Sequence, residues 1–324
     1  MPKAVRIHKT GGPEVLVYED VAVADPGPGE ARVRQSAVGV NFIDCYHRSG
    51  VYRLDQMPAV IGMEGAGVVE AVGKGVKVVK KGDRVAYASP PPGSYAEVRL
   101  MAADRLVVLP KGIDEETAAG MMLKGMTAQY LLRQTHRVAK GEAILVHAAA
   151  GGMGLLLCQW AKHLGATVIG TVGDAAKAEL AKAHGCEYPI VYGKENFVAK
   201  VREITEGEGV GVVYDGVGRD TFDRSLDCLG LRGHMVLYGQ ASGAVPPFDL
   251  SRLSAKSATV TRPVLFHYIM ARKELEATAK DLFDVVKKDV VKIEVRHRYA
   301  LKDAAEAHRA LEGRKTTGSV ILIP

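Results

Sequence analysis

The feature that most restricts the fold is a regular alternation between residues 143 and 238. Apolar runs at 143–147, 167–172, 188–192, 211–214 and 234–238 are short and rich in Val, Ile and Leu. Between them lie stretches of helical periodicity at 152–163, 175–184, 197–204 and 221–229. Strands joined by helices of this length pair side by side in parallel, with helices covering both faces of the sheet. The expectation is an α/β unit built on a doubly wound parallel sheet.

The flanking sequence follows other rules. Up to about residue 110, β-like runs at 31–36, 67–72 and 83–87 are separated by Pro26-Gly27-Pro28-Gly29, Gly73-Lys74-Gly75 and Pro90-Pro91-Pro92-Gly93. Short strands punctuated this closely suggest a barrel-like β domain. Helical periodicity runs from 118 to 133. After about residue 266 come a helix near 271–287, a strand near 294–299, a helix near 303–311 and a strand at 319–323. At 324 residues the chain exceeds the usual size of a single core, so two domains are expected.

Charge and cysteines narrow the class. The net charge of +6 invites nucleic acid as a partner, but Lys and Arg are interspersed with acids and form no block of five. A positive potential that attracts small anions is the preferred reading. The apolar stretch 143–160 contains His147, Gly151, Gly152, Gly154 and Gln159, so it reads as strand, turn and helix rather than a membrane span. The N-terminus has no apolar leader-like region. Cys45, Cys158, Cys186 and Cys228 have no metal-site or disulfide-framework spacing, which points to the cytoplasm.

The most informative local motif joins the first run to the first helix. Ile144-Leu145-Val146-His147 is followed by Ala148-Ala149-Ala150-Gly151-Gly152-Met153-Gly154 and then by an apolar helix. Glycines let the backbone turn tightly against a pyrophosphate, and a helix N-terminus offers unsatisfied N–H groups and partial positive charge. The second run ends at Gly173. A carboxylate there would hold the 2′-hydroxyl of NAD, whereas Gly173 leaves room for a 2′-phosphate that Lys177 can neutralise. Asp174 opposes that reading unless it turns away to cap the helix after it. Lys177 also has a plainer reading, as a solvated helix lysine. NADPH is expected on balance.

With these segments laid out, the chain resembles the zinc-free, zeta-crystallin-like quinone oxidoreductases of the medium-chain dehydrogenase superfamily. The matching segments are 41–52, 62–69 (Gly62-Met63-Glu64-Gly65-Ala66-Gly67), 147–154, 213–221, Thr261-Arg262-Pro263 and Thr316-Thr317-Gly318-Ser319. The resemblance implies a GroES-like catalytic domain over 1–125 and 266–324, with a Rossmann dinucleotide domain over 126–265 inserted between. Zinc relatives place Cys and His where Asn41 and Met63 stand, and neither is a good zinc ligand, so no metal is expected.

Residue by residue, the resemblance implies that Asn41, Asp44, Tyr46, Tyr52 and Arg262 carry the catalytic surface. Cofactor contacts are implied for Asn41, Thr127, Ala150, Gly151, Gly152, Met153, Gly173, Lys177, Tyr192 and Gly216. They are also implied for Gly239, Gln240, Ser242, Phe266 and Gly318, with Gln240 and Phe266 in variable stretches.

The expected reaction is NADPH-dependent reduction of a quinone in the cleft between the domains, with hydrogen-bond donors in the role of the metal. Reduction of an enone or alkenal double bond is the alternative. A nucleic-acid-binding or structural, crystallin-like role is a third reading, and no basic cluster with interleaved aromatics favours RNA. Plain structural roles are expected for His47 on a surface turn, for His147 at the end of a buried strand and for Cys45 as core filler. Met121, Met122 and Met126 read as core, and Tyr46 and Tyr52, taken singly, as packing tyrosines. A homodimer is expected, with 257–261 as a pairing edge.

Overall fold

The computed structural model describes residues 1–324. The chain divides into two compact units. One comprises Met1–Met126, Tyr268–Lys287 and Ile293–Pro324, and the other Thr127–His267 with Lys288–Lys292.

In the second unit the sheet is six-stranded and parallel throughout. Its order is Tyr188–Val191, Thr167–Val172, Ala143–Val146, Val210–Asp215, Leu229–Leu237 and Thr259–Thr261. This is the Rossmann order, in which successive strands grow outward from the first in one direction and then in the other. The carboxyl ends of Ala143–Val146 and Val210–Asp215 flank the point where the direction reverses. Leu145, Ile169, Val213 and Met235 are fully buried in one core with Phe197, Phe222 and Leu229. Each such side chain contributes about 1.5–3 kcal/mol by leaving water. The single tryptophan, Trp160, is fully buried on the helix Gly152–His163.

One strand is longer than expected. The run expected at 234–238 starts earlier: residues 229–233, with Gly230 and Gly233, open the strand Leu229–Leu237. The pairing with Val210–Asp215 shifts register between Val210 and Val212 to accommodate them. Close approach explains the glycines: a Cβ on Gly230 would lie 2.7 Å from the Glu208 carbonyl oxygen.

In the first unit a seven-stranded sheet runs Val295–Ala300, Ser319–Ile323, Glu30–Val40, Glu64–Val72, Arg84–Ala88 and Val107–Val108, and Val98–Ala102 also pairs with Glu30–Val40. The first pair is parallel and spans the helix Ala304–Glu312; the others are antiparallel. A three-stranded sheet, Leu16–Asp20, Lys3–Ile7 and Ala59–Val60, adds a second layer. Val5, Ile7, Val38, Ile61, Tyr95 and Leu322 fill the core between them. The helix Glu115–Tyr130 begins earlier than its apolar periodicity suggests, because the Asp114 carboxylate accepts the Thr117 N–H at 2.7 Å. Met121, Met122 and Met126 are fully buried on it.

Candidate active site

In the parallel-sheet unit the expected cofactor residues collect at the carboxyl ends of the strands. After Ala143–Val146 the chain turns through Ala148, which holds a left-handed φ of 53°, and Gly151 caps the helix Gly152–His163 without a side-chain hydrogen bond. The first N–H groups of that helix therefore have neither an intrahelical acceptor nor a capping side chain. Gly154 sets how near this helix comes: a Cβ there would lie 2.6 Å from Ala149 Cα and carbonyl carbon, and closer still to the Ala148 oxygen. Ala150 is buried beside it.

Each neighbouring strand end adds to this edge. Gly173 follows Thr167–Val172, and a Cβ on it would lie 3.4 Å from the Tyr192 hydroxyl, so Gly173 and Tyr192 are neighbours. Asp174 turns into the helix Ala175–Ala183 as its N-cap, accepting the Lys177 N–H at 2.8 Å. The Asp174 carboxylate is thus engaged by the helix start, and Lys177 Nζ lies 3.7 Å from it. Gly216 and Gly239 abut across strand ends, since a Cβ on Gly239 would lie 2.6 Å from the Gly216 oxygen. Ser242 donates to the Val217 carbonyl at 2.8 Å and accepts the Asp220 N–H at 3.0 Å, which ties down the loop that carries Gln240. Arg262 follows Thr259–Thr261 and donates to the Leu237 carbonyl at 2.8 Å and to Gln240 at 3.4 Å. Thr127 is buried on the helix Glu115–Tyr130, and Phe266 is half-buried on the short helix Leu265–Tyr268.

Beneath this edge lies a polar network that sequence reading missed. Asp215, fully buried, accepts from the N–H groups of Val217 and Gly218 and from the hydroxyls of Thr221 and Ser225. Ser225 also meets His147 Nε2 at 2.8 Å, and His147 Nδ1 meets Thr171 at 2.8 Å. Burial holds the His147 pKa below the ordinary histidine range, consistent with its structural reading.

In the β-rich unit the helix Phe42–Ser49 carries the other candidates. Tyr46 and Tyr52 pack edge to face with ring centroids 5.2 Å apart, and the Tyr52 N–H donates to the Tyr46 carbonyl at 3.0 Å. They form one half-buried aromatic element rather than two separate packing residues. His47 is not on a surface turn. It lies within this helix, 8% exposed, and burial pushes its pKa down to about 4. Gly318 has a φ of 63° and is pressed against the Glu294 backbone, which leaves no room for a side chain.

Asp44 departs from its expected place. It is fully buried, and its partners are neutral: the Asn41 backbone N–H at 2.8 Å and the Tyr95 hydroxyl at 3.1 Å. Its Oδ1 has no partner, and burial pushes its pKa up to about 7. Behind it, Tyr95 meets His308 Nε2 at 2.9 Å, while His308 Nδ1 meets Arg48 at 3.0 Å and Cys45 at 3.5 Å. Arg48 in turn makes two bonds to Glu312, at 2.7 and 2.9 Å. An arginine can only donate, so His308 accepts on Nδ1 and carries its proton on Nε2. Cys45 thus fills core space but also touches this array.

Asn41 is 5% exposed and donates from Nδ2 to Glu64 at 2.8 Å. Glu64, also buried, accepts from the Leu123 N–H at 2.7 Å and Lys124 Nζ at 3.4 Å. Glu64 stood in a recognised motif, but Lys124 did not. Met63 is buried, and no group of three or more His, Cys, Asp or Glu side chains is placed to hold a metal ion.

Residues 27–144 match the family model for the alcohol dehydrogenase GroES-like domain, and residues 152–284 match the model for zinc-binding dehydrogenase. The chain is 51% identical to a quinone oxidoreductase of Pseudomonas aeruginosa, with all of both chains covered. It is 48% identical to a 2-haloacrylate reductase of a Burkholderia species, covering 100% of this chain and 99% of that one. The crystal structure of Escherichia coli quinone oxidoreductase complexed with NADPH superposes with a TM-score of 0.97 at 49% identity, covering 99% of this chain and 100% of that one. The chain belongs to the quinone oxidoreductase family of the medium-chain dehydrogenases.

Proposed function

We propose that the protein is an NADPH-dependent quinone reductase. The observation that carries this reading is the glycine-lined edge of the parallel sheet, where the uncapped start of Gly152–His163 faces the point at which strand order reverses. The residues fit a dinucleotide: the close approaches at Gly154 and at the Gly216–Gly239 pair admit no side chain at those positions of the edge. Backbone N–H groups of Gly152 and Met153 would neutralise the bridging phosphates, with Gly151 and Ala150 forming the turn. Gly173, Lys177 and Tyr192 would take the 2′-phosphate, and Thr127, Gly239, Gln240, Ser242, Phe266 and Gly318 would complete the site.

When bound, reduced nicotinamide supplies the hydride. The protein's part is to orient the acceptor and donate hydrogen bonds to the oxygen on which charge develops. Tyr46, Tyr52, Asn41 and Arg262 are the donors assigned to that task. Asp44 serves from inside, holding the start of the helix that presents Asn41 and Tyr46. A quinone suits such a surface because it is planar and spreads the incoming charge over the ring. Reduction of an activated carbon–carbon double bond is the second reading, favoured by the 48% identity to a 2-haloacrylate reductase.

A cytoplasmic homodimer completes the assignment. Thr259–Thr261 closes one edge of the parallel sheet and offers the strand for two-fold pairing. The four cysteines are free and buried, as a reducing compartment favours. No helix is long and apolar enough to cross a membrane.

The test is NADPH and NADH oxidation measured with 1,4-benzoquinone, 9,10-phenanthrenequinone, 2-hexenal and a 2-haloacrylate, with and without a chelator. Faster turnover of the quinones with NADPH, unchanged by chelator, is expected. Turnover of the enone or haloacrylate alone would select the second reading.

A further inference from the structure

We propose that Glu64, beside Lys124, is the positioning residue for Asn41, holding the amide with its nitrogen toward the carboxylate and so fixing which edge Asn41 offers a ligand. The inference rests on the functional reading above, which places Asn41 at the reacting oxygen.

Three donors surround the Glu64 carboxylate, and it is fully buried: Asn41 Nδ2 at 2.8 Å, the Leu123 N–H at 2.7 Å and Lys124 Nζ at 3.4 Å. An ionised carboxylate accepts and cannot donate, so the Asn41 side chain must turn its nitrogen toward it. The other end of Asn41 is fixed as well. The Asp44 carboxyl accepts the Asn41 backbone N–H at 2.8 Å and the Asp44 N–H donates to the Asn41 backbone carbonyl at 3.0 Å, so the backbone that carries the amide is held in place. With its nitrogen committed to Glu64, the Asn41 amide has one rotation and presents one fixed edge to a ligand. Space is reserved for this arrangement, because a Cβ at Gly39 would collide with the Glu64 carboxylate and the Ala119 carbonyl. Lys124, 7% exposed, brings its ammonium to 3.4 Å from the Glu64 carboxylate.

In Glu64→Gln the new NH₂ must face either Asn41 and Lys124, which share Oε2, or the Leu123 N–H at Oε1, so one buried donor meets a donor and Asn41 is no longer held by a charged acceptor. Removing Lys124 leaves the buried Glu64 carboxylate with two donors instead of three. The other titratable group beside the pair is Asp44, backed by Tyr95 and His308.

The experiment measures kcat, KM for NADPH and KM for 9,10-phenanthrenequinone from pH 5.5 to 9 in wild type, Glu64→Gln and Lys124→Met. Lys124→Met is repeated in an Asp44→Asn background to separate the Asp44 titration. Glu64→Gln is expected to lower kcat about 10- to 100-fold at every pH, with both KM values within threefold and NADPH binding retained. Lys124→Met, which leaves the carboxylate and its bond to Asn41 but removes the neighbouring ammonium, should lower kcat less than Glu64→Gln in both backgrounds, again with both KM values within threefold, whereas lost packing alone would not single out kcat. Wild-type kcat in Glu64→Gln, or a fall in kcat matched by a rise in both KM values, overturns the proposal. If Glu64→Gln does not fold, the kcat-against-KM split of Lys124→Met decides alone. Wild type that consumes no NADPH overturns the functional reading and this inference with it, whereas active wild type with intact variants overturns only the inference.

Discussion

Substituting Gly154 by alanine tests the cofactor edge at its tightest point. The added Cβ would lie 2.6 Å from two Ala149 backbone atoms, where ordinary contact begins at 3.4 Å. Relief requires the start of Gly152–His163 to withdraw by more than this difference of about 0.8 Å, since the Ala148 oxygen is nearer still, and backbone cannot rotate out of the way as a side chain would. Overpacking of this kind costs about 1–3 kcal/mol of stability. The same withdrawal moves the helix N–H groups off the bridging phosphates. Hydrogen bonds to charged groups are worth about 1.5–3 kcal/mol each. Losing the equivalent of one raises the NADPH dissociation constant about 10- to 100-fold. Fluorescence titration with NADPH and a thermal melt with and without coenzyme measure both effects. A Gly154→Ala protein that binds NADPH within threefold of wild type and melts at the same temperature would refute the close-approach argument.

Three further outcomes follow from the geometry. Lys177→Ala should raise KM for NADPH about tenfold while leaving KM for NADH within twofold; equal losses with both coenzymes would remove Lys177 from the 2′-phosphate site. Because burial raises the Asp44 carboxyl to about 7, its contribution to stability is full below about pH 4 and lost as the pH climbs towards 7, by up to roughly 4 kcal/mol. The Tm advantage of wild type over Asp44→Asn should therefore shrink across that window, and parallel curves would contradict the burial argument. Buried His47 and His308, held down to about 4 and about 3, act in the opposite sense, so the difference between the two proteins is the quantity to read. Arg48→Met removes the donor to His308 and both bonds to Glu312, and should cost about 1–3 kcal/mol in urea denaturation; an unchanged midpoint would show the array to be dispensable.

The parallel sheet was legible because its signal is local. Each strand and its following helix lie within some thirty residues, and turn glycines such as Gly151 and Gly173 mark where the chain reverses. The Asp174 ambiguity was posed by sequence and resolved only by geometry, since a cap is a matter of where one carboxylate points. What sequence left hidden is long-range. Tyr95 and His308 meet across 213 residues, Arg48 and Glu312 across 264, and Glu64 and Lys124 across 60. None belongs to a periodic pattern, so nothing local in the sequence joins these partners. His47 was expected on a surface turn, whereas it lies inside the helix Phe42–Ser49, and Tyr52, beyond the end of that helix, packs against its ring.

The position of Trp160 has a spectroscopic consequence. Its indole is fully buried in the parallel-sheet unit, with an N–H that finds no partner, and no second tryptophan exists. Native emission should be blue-shifted, and its red shift during denaturation tracks one unit only, while far-ultraviolet dichroism weighs both. A mismatch between the two curves would therefore mean that the β-rich half and the nucleotide half come apart in separate steps.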